Sequence, residues 1–488
     1  MKLATKAGKL KTTSTSKTIF KTIGLFSGLE VFNILCSVIK MKLVALWLHA
    51  SGVGLFGIYN STIETISTLT GMGLRQSAIR DIAINRNNKS RLNIIVAVVR
   101  RWSCFAGLLG AIVISGAAPL LAKFFFEDWS QCWGFVLLSA TMLLNAITNG
   151  EQAILQGNNM LKALAKGSFF GSLIGLMLSV PMFWYWREDA VVASIIAYSV
   201  SMLLCVLFFR HRTQMRIAKI SLNETIMQGK SFVKLGAFMA TATFITNIAH
   251  LIFLAYLNNK ASTAEVGYYQ AGTTLIIKYV GLIFTAIGME LYPRLAANHN
   301  SSYRIKLFVS HEISLLLVIL TPIILSFLIC RQWIVEILYS PEFYVIIPFI
   351  SWAIMCSIFK AISWCMAYTI IVKGDGKIYM LTEGIDAVVG LLLNILLYEL
   401  FGLLGIGIAY ILWYFFYMLI VGFVYTKRYK FSLSKQCRRN ILLAVVVCGG
   451  ALVAIELLPM WLCVVIFVLI IASYIKPIKN LYVGKQSK

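Results

Sequence analysis

Two lysines in this chain stand where a charge is hardest to keep. Lys278 and Lys360 lie inside long apolar runs, and two carboxylates (Glu30, Glu64) and one histidine (His250) sit in comparable surroundings. A cation at such a place can meet an anionic group that has to cross a membrane. A desolvated carboxylate can take up a proton or Na⁺, and an imidazole changes charge near neutral pH. Polar residues accompany them at steps of three and four, which puts each set on one helical face. Gln270, Thr274, Lys278, Gly281, Thr285 and Gly288 form one such stripe, and Asn60, Glu64, Thr68 and Gly71 a second. Ser27, Glu30, Asn33, Ser37 and Lys40 make a third, and Thr243, Asn247 and His250 a fourth.

A charge at the bilayer centre costs roughly 2.5–3.5 kcal/mol on insertion scales, so these residues need a bundle interior or a wet cavity. Two accounts of Lys278 and Lys360 are open. Either a nearby carboxylate such as Glu30 or Glu64 neutralises them and holds the bundle, or they form a cationic wall for an anionic substrate. Lys40, Gln270, Thr274, Asn60, Asn33 and Asn247 would complete that lining. Glu30 and Glu64 are correspondingly coupling sites for H⁺ or Na⁺, or partners in internal ion pairs. A lone intramembrane histidine such as His250 is more often a helix–helix hydrogen-bonding residue than a proton switch.

The elements that must position these groups are membrane helices. With 59% hydrophobic and 13% charged residues and a mean hydropathy of +0.82, the chain lies far from soluble domains, whose charged fraction is near a quarter. Apolar runs near the 20 residues that span a bilayer occur over 20–41, 54–75, 102–122, 133–156, 164–185, 190–209, 235–257, 266–290, 308–330, 345–371, 378–399, 404–425, 440–458 and 460–475. If the N-terminus is cytoplasmic, 36 of the 44 Lys+Arg fall on the inner side, as the positive-inside rule requires. Lys40, Lys42, Lys123, Arg187, Lys260 and Arg331 are expected outside. The net charge of +25 then reflects loops facing anionic lipid, not nucleic-acid binding. A bacterial inner-membrane protein with both termini cytoplasmic and no cleavable signal peptide is expected.

Other signals carry less. The ten cysteines contain no CxxC spacing and read as small buried hydrophobes, so neither a metal site nor a cofactor is expected. Gly52–Gly57 spells GxGxxG between two membrane helices, without the βαβ unit a nucleotide site needs. No Walker A pattern occurs. Glu383 and Asp386 are three apart, but no nucleophile accompanies them, and contacts with inner-loop lysines are the expectation. Outer loops are too short for a catalytic domain, which argues against a membrane enzyme such as a polysaccharide polymerase.

The chain also repeats itself. Gly57-Ile58-Tyr59-Asn60 is echoed 210 positions later by Gly267-Tyr268-Tyr269-Gln270. Gly71-Met72 and Gly288-Met289 are 217 apart, as are Leu155-Gln156-Gly157-Asn158 and Val372-Lys373-Gly374-Asp375. The expected organisation is an all-α polytopic protein of about 14 transmembrane helices. Residues 1–17 form a cytoplasmic tail, 18–209 a first six-helix lobe and 210–230 a cytoplasmic linker. A second, parallel lobe follows over 231–425, and 426–488 hold two further helices and a tail. Parallel repeats around a midplane site are a transporter plan.

Leu55-Phe56-Gly57-Ile58-Tyr59, Leu291-Tyr292-Pro293-Arg294-Leu295, Val372–Lys377 and the Asn394…Gly402-Leu403-Leu404-Gly405-Ile406-Gly407 run carry a resemblance over most of residues 18–425. The chain resembles polysaccharide flippases of the Wzx (O-antigen translocase) type, in the superfamily that includes the multidrug-and-toxin extruders. The resemblance implies a MATE-like pair of lobes and alternating access. It also implies, as substrate, an oligosaccharide on undecaprenyl pyrophosphate, and a cavity lined by the first, second, seventh and eighth helices. Partners would be H⁺ or Na⁺, membrane lipid and the polysaccharide polymerase and chain-length proteins. Two alternatives share the fold: a multidrug cation antiporter, which should favour an acidic cavity, and a peptidoglycan lipid II flippase. The latter carries an arginine-rich RxxGxxRD-like first helix, where this chain reads Lys21-Thr22-Ile23-Gly24-Leu25-Phe26.

Overall fold

A computed structural model describes residues 32–86, 88–211, 221–298 and 301–483. All secondary structure among them is helical. Helix α1 covers 32–47. There follow α2 (His49–Gly71), α3 (Leu74–Asn85), α4 (Lys89–Phe126), α5 (Cys132–Gly157), α6 (Leu161–Trp186) and α7 (Ala190–His211). After residue 220 come α8 (Leu222–Lys260), α9 (Thr263–Thr273), α10 (Val280–Ala297), α11 (Ser302–Leu338), α12 (Ile347–Ala353), α13 (Cys356–Val372), α14 (Gly376–Phe423), α15 (Lys435–Leu457) and α16 (Met460–Val483).

Helix count and span count differ for physical reasons. Seven helical stretches pass on length and apolarity, or eight with the bent pair Pro341–Ala353 and Cys356–Val372. Two of those stretches are 51 and 53 residues long; at 1.5 Å per residue each would reach roughly 75–80 Å, more than twice a hydrocarbon core. Each therefore crosses twice. The first reverses at Arg187 (φ 48°) and the second at Gly402, whose φ 59° and ψ −141° lie outside the helical region. The described parts of the fourteen expected apolar runs lie on helix, apart from short turns such as Ile354–Met355. Two lie on jointed helices: the eighth run is α9, a π-helical turn over Thr274–Tyr279, then α10, and the tenth is α12 and α13 across their bend. π-turns are rare and often mark functional positions.

The chain forms two compact units. One holds residues up to Leu48 together with Ile58–Thr241, and the other holds His49–Gly57 with Ala242 onward. The start of α2 thus belongs with the second unit, and its glycines explain why. A Cβ on Gly54 would lie 2.0 Å from the Thr263 carbonyl oxygen, and one on Gly267 1.9 Å from that of Ala50. The glycines of the Gly52–Gly57 run serve helix crossing, as small residues do in membranes.

Backbone devices repeat between the units in detail. Asn85 Nδ2 donates to the Asp81 carbonyl (2.8 Å), and 213 positions on Asn298 Nδ2 donates to that of Arg294 (2.9 Å). In the same register, Asn88 Oδ1 accepts from the Arg91 N–H (3.2 Å) and Ser301 Oγ from the Arg304 N–H (3.5 Å), each capping a long helix. Helices α5 and α13 both end in a Schellman turn, with Met160 N–H on Leu155 O (2.8 Å) and Asp375 N–H on Ile370 O (3.2 Å). The left-handed residues there are Asn159 (φ 59°) and Gly374 (φ 77°), as such turns require.

These pairs correct the register of the internal match. The Schellman turns align at 215, pairing Leu155 with Ile370, whereas matching letters alone paired Leu155 with Val372. Gly71-Met72 and Gly288-Met289 are not equivalent either: Met72 (φ 40°) ends α2, while Gly288 sits inside α10. The match at Gly57–Asn60 has a packing counterpart. Tyr59 packs on Phe135 with ring centroids 5.2 Å apart, and Tyr269 on Phe349 at 6.3 Å.

Candidate functional site

Within the second unit, α13 follows a 49° bend and places Lys360 one turn beyond it. The Lys360 ammonium lies 5.5 Å from the centroid of Phe284 and 5.3 Å from that of Tyr414, within reach of both ring quadrupoles. The hairpin at Gly402 folds α14 on itself and brings Asp386 and Glu383 to the same region. Asp386, 8% exposed, accepts a 2.6 Å hydrogen bond from Trp413 Nε1, and Glu383 accepts one from the Tyr417 hydroxyl. Asp386 also acts electrostatically on Lys360. The carboxylates are three apart and their donors four apart, so one face of each arm supplies the contact. Gly390 makes the indole fit, since a Cβ there would lie 2.3 Å from Trp413 Cε2.

One expectation changes here. Glu383 and Asp386 meet aromatic donors of their own hairpin, not inner-loop lysines, because the Gly402 reversal delivers Trp413 and Tyr417 first. Within the second unit, Asp386 is a carboxylate that acts on Lys360. Glu64 is exposed, and its carboxylate makes no hydrogen bond or ion pair with the described residues. Glu30 lies outside the described residues. Lys278 lies in the π-turn, and its side chain is likewise outside those described.

The other expected residues are dispersed. Lys40 was expected outside, but α1 continues to residue 47 because Leu43-Val44-Ala45-Leu46 prolongs the apolar run. Lys40 is 9% exposed, with its ammonium 5.0 Å from the Tyr198 ring centroid. Asn33 Oδ1 accepts from Ser172 Oγ at 3.1 Å, a helix-to-helix contact. Asn60 and Asn247 are half-buried. Gln270 packs on Gly57, where a Cβ would meet its Cγ at 2.6 Å, and Thr274 opens the π-turn. His250 stacks near Tyr269, centroids 5.8 Å apart.

A second charge cluster escaped the sequence reading. Glu151, 2% exposed, accepts from Arg100 Nε (2.6 Å) and Nη2 (3.2 Å) and from Arg210 Nη1 (2.8 Å), tying α4, α5 and α7. In the second unit Glu312, also 2% exposed, lies 3.7 Å from Arg294. Each glutamate interrupts a largely apolar helix as Lys360 does, so the insertion cost that singled out the lysines would have found them too. At the loop after α13, Asp375 Oδ2 accepts from the Tyr429 hydroxyl (2.5 Å) and from Arg428 (3.3 Å). The tyrosine bond, then the guanidinium, holds this carboxyl below its usual range.

Comparisons with known proteins agree with this architecture. A family described as "polysaccharide biosynthesis protein" matches residues 43–348. A protein of Shigella flexneri named "putative O-antigen transporter" is 25% identical over 385 residues, covering 76% of this chain and 90% of that protein. The solved structure titled "lipid II flippase MurJ, inward closed conformation" superposes with TM-score 0.71 at 12% identity, covering 95% of this chain and all of that one. An inward-facing multidrug resistance MATE family transporter of the MOP superfamily gives TM-score 0.66 at 13% identity, with 83% and 96% covered. The fold is therefore MATE-like, and the match over residues 43–348 places this multi-pass membrane chain in the polysaccharide biosynthesis protein family.

Proposed function

We propose that the chain is a flippase that carries an oligosaccharide on undecaprenyl pyrophosphate from the inner to the outer leaflet of a bacterial inner membrane, by alternating access of two lobes. The observation that carries this is the family match over residues 43–348, reinforced by the relative named as an O-antigen transporter. The chemistry supports it: a pyrophosphate crossing the membrane needs counter-charge, because an unpaired buried charge is prohibitive. Lys360 supplies one cation from within the second unit, and Lys278, Asn60, Gln270 and Thr274 extend the polar lining. Residues 18–209 and 231–425 act as the two lobes, and 210–230 as the linker. An H⁺ or Na⁺ gradient drives the cycle. Glu64, Glu30, His250 and the Glu383–Asp386 pair are the groups able to sense it.

Lys360→Ala tests this directly. The expected result is loss of surface polysaccharide at unchanged protein level in the membrane, with partial recovery in Lys360→Arg. Normal polysaccharide in Lys360→Ala and Lys278→Ala would sink the cationic lining. One observation favours a second reading: two carboxylates beside Trp413 and Tyr417 could receive an organic cation, as a multidrug antiporter would. Raised drug resistance on overexpression, with no polysaccharide defect on deletion, would decide for it.

A further inference from the structure

A cleft of about 760 Å³ opens between α11, α15 and α16, well away in sequence from the residues assigned above. Its volume is within the roughly 300–1,000 Å³ of ligand clefts. Its lining changes character along its length. One end is polar and basic, with His311, Arg439, Gln436 and Asn440; the other is apolar, with Leu317, Val318, Leu443 and Ala444.

Three observations say what fits. Among the described residues no carboxylate lines the cleft, so Arg439 is not neutralised from within. His311 and Arg439 are exposed and make no hydrogen bond or ion pair with the described residues, whereas the hydroxyls beside them are engaged: Ser314 donates to the Ser310 carbonyl (2.9 Å) and Ser434 accepts from Cys437 N–H (3.1 Å). The basic end also adjoins the starts of α11 and α15, where Arg304, Lys306, Lys435 and Arg438 follow closely. Under the positive-inside rule that end faces the cytoplasmic leaflet. A molecule that matches both ends needs an acidic head and an apolar tail, and must be present at that leaflet.

We infer that this cleft is a binding site for an anionic glycerophospholipid of the cytoplasmic leaflet, its phosphate held by His311 and Arg439 and its acyl chains laid along Leu317, Val318 and Leu443. The two helices beyond the repeated twelve thereby form one wall of a lipid site. The cleft shares no lining residue with those assigned to the transport path, and the inference does not depend on which molecule is transported.

The test is binding of phosphatidylglycerol to the full-length protein in detergent micelles, followed by native mass spectrometry. Phosphatidylcholine of the same chains and free glycerol 3-phosphate serve as comparison probes. The expected result is preference for phosphatidylglycerol over both, and a roughly 10- to 30-fold loss of its affinity in the H311Q/R439Q double variant, which removes one guanidinium contact and one imidazole hydrogen bond. Arg438→Gln removes a charge beside the cleft without lining it and should change affinity by no more than about five-fold, the size of one surface cation. Leu443→Glu, a substitution at an exposed wall position, should weaken binding as well. Equal loss in Arg438→Gln would show diffuse surface charge and overturn the site. So would equal binding of phosphatidylcholine, or full competition by glycerol 3-phosphate, which would make it a free-anion site.

Discussion

The two units share their backbone devices and differ in their charges. The asparagine bond before the long helix recurs at Asn85 and Asn298, as do the caps at Asn88 and Ser301. A close glycine–aromatic crossing also recurs, with Gly175 beneath Tyr198 and Gly390 beneath Trp413. In the register of the shared Schellman turn, however, Lys360, Glu383, Asp386 and Tyr417 correspond to Asn145, Ser168, Gly171 and Met202. Conversely Glu151 corresponds to Met366. Helix ends and crossings obey the same geometry in both copies and are kept, while a buried charge survives only where partners exist to meet it.

The largest test of that asymmetry is at its centre. Lys360→Ala should abolish polysaccharide export while Asn145→Ala, its counterpart, leaves export near normal; equal loss from both would mean a symmetric site. Next, Glu151→Ala strands Arg100 and Arg210 and should cost about 3–5 kcal/mol, read as a lower unfolding temperature in detergent, whereas Met366→Ala should cost the roughly 2–5 kcal/mol of a cavity without any change in salt dependence. Gly175→Ala and Gly390→Ala should each destabilise by about 1–3 kcal/mol through overpacking. Only Gly390→Ala should also impair export, because it displaces the indole that holds Asp386.

Smaller effects fall at the loops. Gly374→Ala puts a Cβ on a left-handed residue and should cost about 1–2 kcal/mol, while Asn159→Gly at the equivalent place should be nearly neutral. Smallest is Asp375→Asn, about 0.2–1 kcal/mol. Since Tyr429 and Arg428 depress the Asp375 carboxyl, its contribution is present at neutral pH and disappears as pH falls through that lowered value. The variant and the parent should therefore converge only in strong acid.

Sequence reading located Lys360 because an ammonium in an apolar run stands out on composition alone. It placed the end of α1 too early, since the end of a helix depends on where apolar residues stop being covered, and α1 runs on to residue 47. It misjudged Glu383 and Asp386 because their partners lie across a hairpin, 34 and 27 positions away. Glu151 was overlooked although burial penalises its carboxylate as it does an ammonium.

Crossings, charge asymmetry and repetition were determined by the sequence itself, because insertion into a bilayer is a local property of about 20 residues at a time. Partners were decided only by the tertiary structure. Whether Lys360 lies between two aromatic rings, or Glu151 meets two arginines, depends on which helices pack side by side, and no periodicity along one helix records its neighbour. The same holds for the register of the repeat, which letters placed at 217 and hydrogen bonds place at 213 and 215.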